Sequence, residues 1–115
     1  MRLERRIPSK IRGTTFRPVD FSAIRPGDRL ELFREYDNPY DPNAVRVVHE
    51  GCFIGYVGRD LAARLAVAMD AGQEAHGLVL EITGGTVDSP NRGINMTVVV
   101  SQEVSDLAFV GTPGR

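Results

Sequence analysis

A chain of 115 residues, 42% of them hydrophobic, makes one domain large enough to bury a core without covalent staples. Its single cysteine, Cys52, excludes an intrachain disulfide, and no apolar run approaches the roughly 18 residues of a membrane span. The net charge of −1 excludes an overall basic footprint, but residues 1–64 carry 12 Lys and Arg against 9 Asp and Glu while residues 65–115 carry 2 against 6, so a polyanion would meet the first half.

The N-terminal MRLERRIPSKIR lacks the apolar stretch of a secretory signal, and the expectation is a cytoplasmic protein. Residues 1–5 are polar and expected to be loose, ahead of a domain over 6–103 and a tail over 104–115. From Ile7 the chain turns extended, with Ile7, Ile11 and Phe16 apolar among Arg, Thr and Gly. Pro26-Gly27-Asp28 signals a turn. Beyond it Leu30, Leu32 and Arg34 alternate with Glu31, Phe33 and Glu35, the period of a strand. Residues Asp37 to Asn43, DNPYDPN, then pack two Pro, two Asn and two Asp around a Tyr. Ala44 to Val48 and Cys52 to Val57 read as a hairpin turning at Glu50-Gly51.

One helix is clear, over RDLAARLAVAMDAG. Leu61, Leu65, Ala68 and Met69 fall on one face, Asp60 suits the positive end of the helix dipole, and Gly72 is a stop signal. Two more strands, AHGLVLEITGG and INMTVVVSQ, flank the Gly/Ser/Pro/Asn-rich GGTVDSPNRG, expected as an exposed, mobile loop. Short strands with one helix near the middle give a mainly β, α+β chain, a small β-barrel of the OB-like or SH3-like kind.

Enzyme signatures are missing. His49, His76 and Cys52 have no zinc spacing, no Gly-rich loop ends in Lys-Ser/Thr, and neither GxGxxG nor GxSxG occurs. A calcium loop starting at Asp37 fails at Pro39, which has no side-chain oxygen. A hydrolase built on Asp37 and Asp41 is a minor reading, because carboxylates in such turns usually serve as caps and Asx turns. The expectation is a binding domain with no catalytic residue, no metal and no cofactor.

The stretch from Arg34 to Gly72 resembles the HIRAN domain. The resemblance rests on Arg34, Asp37-Asn38-Pro39-Tyr40-Asp41, Asn43-Ala44-Val45, Gly55-Tyr56-Val57 and the helix after them. Upstream, Gly13 to Phe16 and RPGDRLELFRE match as well, and the whole covers roughly residues 5 to 101. It implies an OB-like barrel, found in SNF2-type remodelling enzymes and as small bacterial proteins, that binds single-stranded DNA at its 3′-hydroxyl end in DNA repair or processing. The implied partners are single-stranded DNA 3′ ends and a helicase or nuclease.

The resemblance also assigns roles. Tyr40 and Phe16 match stacking positions, and an aromatic ring stacks on any base. Asp41 matches the acceptor of the 3′-hydroxyl, which would repel a 3′-phosphate. Asn38 belongs to the same loop, whose proline-stiffened amides beside Tyr40 and Asp41 would also serve the ligand. Arg34 and Arg59 would meet phosphates. The chain departs from the family pattern at Thr15, where a cation is lost, at Phe16, where a hydroxyl is lost, and at Val98, aromatic in some members. Plainer readings stand beside these. Tyr40 and Phe16 as core residues, Asp41 as an Asx-turn residue and Arg34 paired with a loop Asp are each compatible with the residues, as is a protein-interaction adaptor that uses the same barrel without DNA.

Overall fold

The computed structural model describes residues 1–103. Six strands close a barrel: β1 (Arg2–Arg12), β2 (Arg29–Arg34), β3 (Val45–His49), β4 (Cys52–Val57), β5 (Glu74–Thr83) and β6 (Gly93–Glu103), with the helix α1 (Arg59–Asp70) between β4 and β5. The order around the barrel is β1-β4-β3-β2-β5-β6, every neighbouring pair is antiparallel, and β6 returns to β1. The small mainly β barrel with one inserted helix is the class that the alternation pattern implied. The helix is too short to cross a membrane.

The alternation becomes packing directly. Leu30 and Leu32 of β2 and Val45 and Val47 of β3 point inward, and Ile54 and Val57 of β4 meet them in one core. Ile94, Met96, Val98 and Val100 complete it from β6. Leu61 and Leu65 bring the apolar face of α1 onto the same core. The hairpin turns at Glu50 (φ 47°) and Gly51 (φ 81°), the paired positive dihedrals of the tight turn that matches strand twist.

One expectation is corrected at the N-terminus. Residues 2–5 are strand, with Arg2, Leu3, Glu4 and Arg5 paired to Glu103, Gln102, Ser101 and Val100. Their side chains are exposed, so the segment carries no apolar pattern to betray it; the β6 ladder fixes it, with Arg2 also paired to Glu74 and Glu103. The expected tail, from 104 on, lies outside the described residues. Of the expected loop Gly84 to Gly93, Gly85 to Arg92 are exposed while Gly93 is buried as the first residue of β6, and Thr86 and Ser89 close the loop on itself, the Thr86 amide donating to the Ser89 carbonyl (3.1 Å) and the Ser89 amide to Thr86 Oγ1 (3.0 Å).

The barrel closes at its narrowest join between β1 and β4, where only Ile11–Val57 and Arg12–Tyr56 pair. Gly55 makes that join possible. A β-carbon there would overlap the Arg12 carbonyl oxygen and lie 2.7 Å from Ile11 Cγ2. Gly55→Ala is therefore expected to lower the unfolding free energy by about 1–3 kcal/mol, the usual effect of overpacking a tight site. Thermal or denaturant unfolding measures it, and unchanged stability would show that β1 yields freely.

Candidate functional site

The DNPYDPN stretch is the β2–β3 connection, and its own side chains shape it. The Glu35 amide donates to the Ala44 carbonyl (2.9 Å) and closes the base of the loop. Asn38 Oδ1 accepts from the amides of Tyr40 (2.8 Å) and Asp41 (3.0 Å), and Asp41 Oδ1 accepts from the amide of Asn43 (2.9 Å). These are Asx turns, and the fixed φ of Pro39 and Pro42 stiffens them. The amides of Tyr40 and Asp41, expected to serve a ligand, are thus already engaged by Asn38. The Tyr40 ring stands 86% exposed, so it does not cap the core.

Glu35 anchors this loop to the barrel. Its carboxylate accepts from Asn38 Nδ2 (2.7 Å), from the Tyr56 hydroxyl (2.8 Å), and from both Nε (2.7 Å) and a terminal nitrogen of Arg46. Burial alone would raise the Glu35 pKa, but the hydrogen bonds from Tyr56, Arg46 and Asn38 outweigh it and hold the carboxyl below its usual range. Burial, and then the bond to Glu35, push the Tyr56 phenol up. Phe53 lies between two guanidinium groups, with Arg17 Cζ 3.7 Å and Arg46 Cζ 4.4 Å from its centroid, and meets Tyr56 edge-on at 5.2 Å.

Beside the loop opens a cleft of about 560 Å³. Asn38, Tyr40 and Asp41 form one wall, Tyr56 and Val57 of β4 another, and Arg12, Arg17 and Arg59 bring three cations against one carboxylate. A terminal nitrogen of Arg59 donates to the Tyr40 carbonyl (2.8 Å), and its Nε lies 3.6 Å from Asp41 Oδ2. Helix α1 begins at this cleft with Gly58 as its N-cap, and no side chain caps it. Its first residue, Arg59, lines the cleft, which sets the positive end of the helix close to the arginines. A flat ring, a hydroxyl acceptor and several cations are the groups that would engage a base, a sugar hydroxyl and a phosphate.

Of the six expected site residues, the cleft unites Asn38, Tyr40, Asp41 and Arg59. Phe16 is not among the cleft's lining residues. It ends the 3-10 turn Thr14–Phe16 and is 89% exposed, so it is not core either. Arg34 is elsewhere, its side chain only 7% exposed. It donates twice to Asp70 (3.0 and 3.2 Å) and to the carbonyls of Ala44 (3.0 Å) and Pro42 (3.1 Å). These bonds make it a structural bracket, and its acidic partner sits in α1 instead of the loop. Asp37 and Asp41 border different depressions.

Arg12, Arg17 and Tyr56 were not foreseen in the cleft. Arg12 carried a faint signal, as the outward neighbour of buried Ile11. Arg17 carried none, since stacking on Phe53 is a tertiary event. Its Nε is buried without a hydrogen-bond partner among the described residues. A separate group, Asp28, His49 and Glu50, brings three potential ligand atoms within 4.8 Å of one another. His49 Nε2 already bonds Asp28 Oδ2 (2.9 Å), and Asp28 also accepts from the Arg25 amide (2.9 Å), so the group ties the start of β2 to the hairpin.

The HIRAN domain family model matches residues 6–103. A crystal structure of a Lactobacillus plantarum protein is similar at 23% identity and a TM-score of 0.69, covering 90% of this chain and 100% of that one. The crystal structure of the HIRAN domain of human HLTF is similar at 20% identity and a TM-score of 0.69, covering 85% of this chain and 76% of that one. No curated protein matches the chain.

Because the Glu35 pKa is lowered on folding, its contribution is present above the unfolded value of about 4.3 and is lost as the pH falls through the folded value. Glu35→Gln is expected to destabilise the protein at pH 7 by about 1–3 kcal/mol, with the gap to wild type narrowing as the pH falls below about 4. Urea unfolding across that range measures it. A gap independent of pH would remove the charge of Glu35 from the account.

Proposed function

Because the chain belongs to the HIRAN domain family, we propose that it is a nucleic-acid-binding module that recognises single-stranded DNA at its 3′-hydroxyl end, in DNA repair or processing. The observation that carries this reading is the Tyr40 ring, held bare on a stiff loop beside Asp41 in a cleft with three arginines. The terminal base stacks on Tyr40, and its 3′-hydroxyl donates to Asp41. The preceding phosphate meets Arg59, Arg12 and the uncapped start of α1. Arg12 and Arg17 offset the cation missing at Thr15. Phe16, exposed and next to Arg17 in sequence, stacks on the following base in this reading. A helicase or nuclease is the kind of partner such a module would bring to an end.

A second reading is favoured by the charge balance. With a net charge of −1 the protein has little long-range pull on a polyanion, which suits an adaptor that uses the barrel to hold another protein.

Fluorescence anisotropy with a 5′-labelled single-stranded 10-mer in low salt separates the two. Tyr40→Ala is expected to weaken binding by about 1–3 kcal/mol. Asp41→Asn is expected to erase the preference for a 3′-hydroxyl over a 3′-phosphate. Folded wild-type protein that ignores every strand would reject the DNA reading in favour of the adaptor.

A further inference from the structure

A second depression, of about 320 Å³, lies against the cleft and shares Arg12 with it. Lys10, Arg12 and Arg92 supply its charge, Thr15, Ser89 and Asn91 supply neutral donors, and no carboxylate lines it. Lys10 and Arg12 flank buried Ile11 on β1, so strand alternation sends both outward. Arg92 comes from the β5–β6 loop.

Glycines lie beside two of these cations. The Lys10 Nζ lies 3.8 Å from where a β-carbon on Gly93 would stand, and Arg92 Nε lies 2.8 Å from the same position on Gly85. A side chain at Gly85 would displace the Arg92 guanidinium, while at Gly93 the Lys10 ammonium lies at ordinary contact distance and Thr83 Oγ1, 2.9 Å away, is the nearest obstacle. Among the described residues, Arg2, Arg6, Arg34, Arg46 and Arg59 have carboxylate partners, while Lys10, Arg12 and Arg92, like Arg5, Arg17, Arg25, Arg29 and Arg64, have none at ion-pair distance. Three uncompensated cations gathered over one polar hollow repel one another until an anion joins them.

We infer that Lys10, Arg12 and Arg92 form a phosphate-binding track that continues the cleft and carries the backbone of the strand leading away from the bound end. This rests on the nucleic-acid reading above. The ligand chemistry is the phosphodiester, read without regard to base, since the hollow offers no aromatic ring. Arg12, common to both hollows, sets the point where the strand passes from one to the other.

The test is the double variant Lys10→Gln/Arg92→Gln, whose exposed side chains take no part in the core. Anisotropy with the 5′-labelled 10-mer is read as affinity, as its salt slope, and as the ratio between 3′-hydroxyl and 3′-phosphate strands. The expected result is about a 10-fold loss of affinity and a salt slope shallower by about 1.4, from two phosphate contacts at about 0.7 each, with the end ratio unchanged. Unchanged affinity and slope with the end ratio intact would overturn the track and leave end recognition standing. A wild-type protein indifferent to the 3′ group, whose affinity the variant still lowers, would overturn end recognition and leave the track. No binding by wild type would overturn both.

Discussion

The site depends on the carboxylate of Glu35. It accepts hydrogen bonds from the loop through Asn38, from β3 through Arg46 and from β4 through Tyr56. Asn38, held by it, in turn holds the amides of Tyr40 and Asp41. One half-buried carboxylate therefore sets the position of a ring it never touches. A charge withdrawn from water needs several donors to be stable, and the loop and two strands supply them together. Their common geometry is the condition for its burial, so the loop is fixed as a by-product of satisfying Glu35.

The arginines divide by partner rather than by sequence context. Arg34 and Arg46 neutralise Asp70 and Glu35 and are internal fittings. Arg34 also draws its loop carbonyls onto α1 through Asp70, where Tyr36 donates to the same carboxylate (3.0 Å). Arg17 is held by ring faces instead of carboxylates, so its charge is not cancelled. The chain is close to neutral overall, yet three cations meet one carboxylate in the cleft and three cations share the hollow beside it.

Much of this was legible in the sequence, and the failures share a cause. The two-residue alternation of β2, the Glu50-Gly51 hairpin and the apolar face of α1 are local patterns, and each appears where expected. The loop was legible too, since Pro, Asn and Asp constrain the backbone by short-range bonds alone. The role of Arg34 was not, because its partner Asp70 lies 36 residues away. The first residues of β1 were missed because an exposed strand held by a neighbour's ladder needs no apolar residues. Arg12 and Arg17 were missed because alternation can at most turn an arginine outward, as at Arg12, and does not separate one facing a cleft from one facing water.

The narrow join between β1 and β4 has a further consequence. It is the shortest seam in the barrel, two residue pairs long, and the cleft lies across it, with Arg12 on one bank and Tyr56, Val57 and Arg59 on the other. Anything gripped from both banks acts as a clasp. A polyanion held by Arg12 and Arg59 would link occupancy to closure, since the opened barrel could not hold it, and each bound molecule would tighten that short seam by mass action. The shortest seam of the barrel is thus the place where such a ligand would hold it shut.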